Sequence, residues 1–265
     1  MRTTRKIYLL FFVSALTVMV VIAVANTSNV KKWWFKLPGS ENKVADSKQP
    51  DPAQVAMMNE LMAWLKPFDS TNTSYYLNGS LTAIDRTDSA HAMNDVAYTV
   101  CKNGEQFYLR IGLTETVNSE NNYLFVDHAI KKMLISKAKK AFQAPGLPVN
   151  ELYEYINSEG FTFSKESSNN RYSTITLLNP NHISCKELTV QYDSVVKHVK
   201  KIFIRQAEVT DPMNVDKEKW ITLAVKDWND DPEAGKYLGL HKFVQKKNDE
   251  WRAAPGFIDY ELINQ

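Results

Sequence analysis

The sequence predicts a mainly β fold with few helices, built on an antiparallel sheet and carried behind one apolar N-terminal segment. Three observations predict it. Most of the chain beyond residue 74 alternates apolar and polar side chains with period two, as strands with one covered face do. One amphipathic helix with clear start and stop signals precedes those strands. Residues 7–25 form an apolar run that contains no charge, Pro or Gly.

That run, IYLLFFVSALTVMVVIAVA, spans roughly 29 Å as a helix, close to the thickness of a bilayer's hydrocarbon core. Arg2, Arg5 and Lys6 precede it, and Lys31, Lys32 and Lys36 follow it, so the positive-inside balance is narrow and tips towards a cytoplasmic N-terminus. Its length and its lack of a helix breaker suit an uncleaved signal anchor. Ala23-Val24-Ala25 before Asn26 also suits a cleavable signal peptide. Both readings export the rest of the chain. No Cys lies near residue 25, which excludes a lipoprotein signal. The expected organisation is a cytoplasmic N-terminus over residues 1–6, a transmembrane anchor or signal peptide over 7–25, a linker over 26–50 and a folded domain over 51–265. Trp33, Trp34 and Phe35 sit where aromatic side chains favour the membrane–water interface.

The first helix starts at Asp51, a good N-cap, with Pro52 at the first helical position and Gln54 where a capping box wants it. Val55, Met58, Leu61, Met62 and Leu65 mark one face, and Pro67 ends the helix. A second short helix is predicted at Val149–Ser158, with Leu152, Tyr155 and Ile156 on one side and Gly160 as its stop. Strands follow from alternation. Tyr75, Leu77, Gly79, Leu81 and Ala83 share one phase, and Val96, Tyr98 and Val100 another. After a Lys102-Asn103-Gly104 turn, Phe107, Leu109 and Ile111 complete a hairpin. Further strands are predicted at Tyr123–Val126, Tyr172–Leu178, Glu187–Tyr192, Val199–Arg205, Trp220–Lys226, Lys242–Lys246 and Phe257–Ile263. In the last, Ile258, Tyr260 and Leu262 share a face. Asp127–Lys140 fits a helix as well as a strand.

Apolar residues at 44% and aromatics at 11% supply a core, which excludes a disordered chain. A net charge of +2 gives no global field, and no basic stripe with base-reading motifs exists, so nucleic acid is not an expected partner. The densest basic patch is Lys131, Lys132, Lys137, Lys139 and Lys140, read as a solvated face with anionic lipid headgroups as the alternative. Cys101 and Cys185 are the only cysteines, and both a disulfide and two buried free thiols remain open.

The order of these features resembles the LolA/LolB-like family of periplasmic lipoprotein carriers over roughly residues 51–265. A leading amphipathic helix is followed by YYLNGSLTAID, the hairpin VAYTVCKNGEQFYLRI and then YLFVDHAIKKMLIS. ELTVQYDSVVKHVKKIFIRQ is similar to that family's strand pair with Tyr-Asp at the bend. The resemblance implies a curved antiparallel half-barrel with helices in its concave face, holding acyl chains or other apolar ligands, in a bacterial cell envelope. Relatives also act as sensors or scaffolds. The segment Asp227–Trp251 is not matched to it.

Catalytic and metal signatures are absent from the sequence. His91, His128, His182, His198 and His241 show no ligand spacing. No nucleophile elbow, Cys-His signature or glycine-rich phosphate loop exists. Asp227, Asn229, Asp231 and Glu233 mimic the start of a calcium loop, but Pro232 and Leu238 stand where it needs Gly and Glu. No enzyme activity and no cofactor are expected. The expected function is an exported, membrane-anchored module that binds an apolar, lipid or lipoprotein-type ligand, either as a single-pass inner-membrane protein with a periplasmic domain or secreted to the periplasm. The apolar face expected to bind it comprises Met58, Met62, Tyr75, Leu77, Leu81, Tyr98, Val100, Phe107, Leu109, Ile111, Leu188, Val190 and Tyr192. Arg110 and Gln191 fall on the opposite, wet phase. The alternative is a non-catalytic structural or sensory component that binds an envelope protein partner, with the same side chains filling a closed core.

Overall fold

The computed structural model describes residues 51–69, 74–88, 92–119, 121–138, 156, 158–168, 171–208, 210–230, 233–248 and 250–265. The predicted segment 7–25, its aromatic flank, Lys139 and Lys140 and most of the predicted helix at 149–158 lie outside them. Among the described residues no helix is long and apolar enough to cross a membrane.

The first helix, α1 (Pro52–Leu65), forms where expected. The Asp51 carboxylate accepts from the Ala53 amide at 3.0 Å, and Met58, Leu61 and Leu65 are buried. Strands β1 (Ser74–Asp85), β2 (Met93–Asn103), β3 (Gln106–Ile111), β4 (Thr114–Asn118), β5 (Asn122–Asp127) and β6 (Lys132–Lys137) follow. Next come β7 (Thr162–Ser168), β8 (Tyr172–Leu178), β9 (Cys185–Asp193), β10 (His198–Gln206) and β11 (Lys219–Asn229). A short helix α2 (Ala234–Leu238), the hairpin β12 (Val244–Lys247) and β13 (Glu250–Ala253), and β14 (Glu261–Asn264) complete the chain.

Among the described residues twelve strands form one sheet, in the order β14-β6-β5-β4-β3-β2-β1-β11-β10-β9-β8-β7. The order has two ends, so the sheet is open. The protein is mainly β, as the alternation predicts. Gly104 takes a φ of 60° in the tight turn between β2 and β3, where Asn103 faces Gln106. Glycine enters that region most readily, which is why the turn signal was legible. One expectation is corrected: β14 runs parallel to β6, with Glu261 opposite Lys132, and is not part of an all-antiparallel sheet. Local alternation carries no information on the direction from which a distant strand returns. The Lys132–Glu261 ion pair at 2.7 Å marks that register. A second correction concerns Phe257–Ile263, where only Glu261–Asn264 is strand and Ile258 is 84% exposed.

The described residues divide into two compact units. The first takes those within Met1–Thr71, Ala83–Ala92 and Pro145–Thr222, and the second those within Asn72–Thr82, Met93–Ala144 and Leu223–Gln265. In the first, alternation gives the expected result. Leu188, Val190 and Tyr192 of β9 are buried, with Ile175 and Leu177 of β8 opposite Val190 and Leu188. Thr176 and Thr189 pair hydroxyls on the other face.

In the second unit the expected wet face is not wet. Cys101, Tyr108, Val117, Leu124, Val126, Met133 and Ile135 form a fully buried cluster there, sealed by Leu238, Phe243 and Val244. Tyr108 is one residue from Leu109 and shares the phase of Arg110. The reason is the segment Asp227–Trp251, which supplies α2 and β12 as a cover; Tyr237 stacks near both Tyr76 and Tyr108.

Gly79 marks a close approach within this unit. A Cβ there would sit 1.8 Å from the Ala224 carbonyl oxygen and 2.9 Å from the Tyr98 hydroxyl, which itself donates to that carbonyl at 3.1 Å. Gly79→Ala must therefore move backbone, and we expect a loss of about 1–3 kcal/mol in denaturant unfolding. A variant as stable as the parent would contradict this packing.

Candidate functional site: the apolar face beneath α1

In the first unit α1 lies against the strands, and the contact combines apolar burial with one polar latch. Met58, Leu61 and Leu65 are the buried side of the helix, and Met62 is half-buried. Trp64 stacks on the Tyr192 ring with centroids 4.3 Å apart. One turn earlier, Glu60 accepts from the Tyr192 hydroxyl at 2.5 Å and from the Lys165 ammonium at 2.8 and 2.9 Å. Lys165 reaches it from β7, where it stands opposite Ile175. The i, i+4 spacing of Glu60 and Trp64 puts both on one side of the helix, so a single turn grips the same tyrosine by ring and by hydroxyl.

Burial pushes the Glu60 carboxyl up, but hydrogen bonds from Lys165 and Tyr192 outweigh it and hold the group below its ordinary value of 4.5. Burial and the bond to Glu60 push the Tyr192 phenol up, so it stays a donor. A depressed folded pKa means the unfolded chain binds more protons in the acid range. The latch therefore contributes fully above pH 4.5 and is lost as pH falls through the lower folded value. Both partners are about one-third exposed, so screening limits it to roughly 0.5–1 kcal/mol. We expect the protection factors of the α1 amides, their exchange rates relative to the intrinsic rate at each pH, to stay constant from neutral pH down to the ordinary carboxylate range and to fall below it. Glu60→Gln should remove that acid limb, and identical pH profiles in both proteins would refute the latch.

The predicted apolar residues fall into two groups. Met58, Met62, Leu188, Val190 and Tyr192 belong to the first unit, and all but Met62 are buried. Tyr75, Leu77, Leu81, Tyr98, Val100, Phe107, Leu109 and Ile111 belong to the second, where Leu109 and Ile111 are half-buried and the others buried. Register aligns Val100, Leu109, Thr116, Phe125 and Leu134 in one row across β2–β6. Tyr75 stacks on Trp228 at 5.4 Å.

Polar groups to which the sequence assigned no partners are built into both units. In the first, Lys186 and Glu218 form a buried ion pair at 3.0 Å. In the second, Tyr108 donates to Glu115 at 2.6 Å, and His128 links Glu115 and Tyr260, each at 2.8 Å. His182 is buried, accepts from the Ser184 and Cys185 amides, and is pushed down by desolvation. The only advance signal for these groups was polarity at a buried phase. Cys101 and Cys185 are free thiols pushed up by burial to about 11 and about 12. Asp227 accepts from Asn78, and among the described residues no cluster of His, Cys, Asp and Glu could hold a metal ion.

The class defined so far is an open, mainly β protein with a helix latched across an apolar strand face. No family model matches the chain, and no curated protein matches it. Among solved structures it is similar to an uncharacterized conserved protein from Thermus thermophilus, with 6% identity, a TM-score of 0.37, and coverage of 78% of this chain and 98% of that one. It is also similar to a LolA superfamily protein from Nitrosomonas europaea, with 9% identity, a TM-score of 0.26, and coverage of 67% and 96%. Likenesses this distant carry no argument about the chain's activity.

Proposed function

We propose that the protein is an exported, membrane-tethered, non-catalytic module that holds an apolar or lipid-bearing ligand in the manner of a LolA-like half-barrel. The strands would form the curved wall and α1 the lid. The observation that carries this reading is the contact of α1. Met58, Leu61 and Leu65 bury against the strands while Glu60, Tyr192 and Lys165 hold the same helix by a part-exposed polar contact, an arrangement that would suit a lid over an apolar wall. Beneath it lie Leu188, Val190, Ile175 and Leu177, a wall on which each methylene of an acyl chain would gain ~0.8 kcal/mol on burial. The tether is residues 7–25, and the envelope is the expected location.

Saturable capture of a fluorescent fatty acid by the full chain tests this reading. Val190→Glu and Leu109→Glu locate the site in the first or the second unit. Arg110→Glu and Gln191→Glu serve as matched neighbours that leave capture intact. A folded chain that captures no apolar probe would overturn it.

A second reading, a structural or sensory component that binds an envelope protein, draws support from the second unit. Leu113, Ile130 and Ile258 are 59%, 44% and 84% exposed. Their loops are linked by the bond from the His128 amide to the Leu113 carbonyl and by the Lys131–Asp259 ion pair.

A further inference from the structure

We propose that the tip of the β9–β10 hairpin is a docking element that seats on an anionic bilayer surface. It is separate from the ligand face and rests on the proposed tether only for bringing a bilayer within reach. Residues 194–201 read Ser-Val-Val-Lys-His-Val-Lys-Lys, with three lysines, a histidine and no acid. Val195 is 68% exposed and Val196 is 43% exposed at the very turn. Two β-branched apolar side chains left largely or partly in water at a loop tip cost the isolated domain solvation.

The tip is held in shape. The Asp193 carboxylate is fully buried and accepts from the Val195 and Val196 amides at 2.9 and 3.2 Å, and from Arg171 at 2.7 Å. Ser194 anchors to the Arg171 carbonyl through both its amide and its hydroxyl. The Asp193 carboxylate is thus turned inward and neutralised, and the valines beside it stay exposed. Lys197 follows at φ 55°, a left-handed conformation in which Gly or Asn is the ordinary choice. This lysine places charge directly beside the valines. The register of β10 slips between Val199 and Lys201, so Lys200 occupies a bulge and is only half-buried, next to exposed Lys201. Lys197, Lys200 and Lys201 form no ion pair among the described residues, whereas Lys131, Lys132 and Lys165 are each paired.

Two exposed valines followed by three lysines without an ion pair among the described residues match the boundary layer of an anionic membrane. There the valines enter the acyl margin and the ammonium groups meet headgroup phosphates. An acidic protein would satisfy the lysines equally well, but it gives less reason for two projecting valines. Residues 26–50, the only stretch between the apolar run and α1, reach at most roughly 90 Å when extended, so such a surface lies within range of the tip.

The test uses the full chain with an environment-sensitive fluorophore on Val195→Cys. Brief labelling favours the exposed Val195→Cys thiol over buried Cys101 and partly buried Cys185, and the labelled site is checked by mass. Met213→Cys, 64% exposed in the same unit, is the control. Vesicles of phosphatidylcholine with about 30% phosphatidylglycerol should blue-shift the Val195 probe and expose it to a lipid-borne quencher, and the Met213 probe should stay unchanged. Lys197→Gln/Lys200→Gln/Lys201→Gln should weaken the response about a hundredfold, at roughly fivefold per charge, and raised salt should do the same. Vesicle flotation reports the tether separately, and fatty-acid capture reports the ligand face separately, so failure of either is distinguishable from failure of the tip. No shift on anionic vesicles that carry the chain would overturn the proposal. An equal shift at Met213 or on pure phosphatidylcholine would do so too, as would a Val195 probe that responds only to an acidic protein.

Discussion

Val190→Glu is expected to abolish fatty-acid capture and to destabilise the first unit by several kcal/mol. Val190 is wholly buried, between Ile175 on β8 and Ile202 on β10, on the face that α1 covers. A carboxylate there has no cation to pair with, since Lys165 is already held by Glu60, and an unpaired buried charge costs several kcal/mol. Gln191, one residue on, points to the opposite face, so Gln191→Glu is the control that period two provides. Because loss of fold also abolishes binding, Val190→Ala is made alongside, at a cost of roughly 2–3 kcal/mol for the truncated side chain and the space left behind. It should weaken capture while the circular dichroism spectrum stays that of the parent. Unchanged capture by a folded Val190→Glu chain would remove this face from the site.

Lys186→Met is the second large effect, expected at about 3–5 kcal/mol by chemical denaturation. Lys186 and Glu218 are both about 2% exposed, and the variant leaves the carboxylate buried with only the Trp220 indole at 3.3 Å and Arg205 at 3.9 Å. Burial pushes Glu218 up, and the bonds from Lys186 and Trp220 outweigh it, so the folded group titrates below its ordinary value. The wild-type pair therefore contributes at neutral pH and is lost as pH falls through that lowered value. Without Lys186 the burial effect dominates, and the deficit should shrink on acidification as Glu218 takes up a proton. Lys186→Met/Glu218→Leu should recover most of the loss, because a buried pair replaced by apolar groups of similar size is often neutral. A single variant as stable as the wild type would show the pair to be energetically idle.

What was legible in the sequence was whatever local pattern determines. Helix α1 announced itself through Asp51-Pro52 and a stripe ending at Leu65, and β2–β3 through clean alternation around Asn103-Gly104. Strand β4, TETVN, was missed because its buried Glu115 reads as a wet position until Tyr108 and His128 are known to satisfy it. Strand β7, TFSKESS, is a mostly exposed polar edge at the end of the sheet, where little burial is needed to keep it paired. The Asp127–Lys140 ambiguity resolves into a turn, with Lys131 at φ 52°, followed by β6. The candidate site was half legible. Its apolar wall follows from period two, but its latch joins residues 105 and 132 positions apart in the chain. No local rule links Glu60 to Lys165 or Tyr192. The cover over Cys101 and Tyr108 was hidden for the same reason, since it depends on where Asp227–Trp251 folds back.

Mass spectrometry of lipids that co-purify with the full chain decides whether the strand face beneath α1 holds an apolar ligand. An acyl-bearing molecule is expected at close to one per chain, depleted in Val190→Ala and retained in Gln191→Glu. A folded chain that carries no such molecule and captures no fluorescent fatty acid would contradict it.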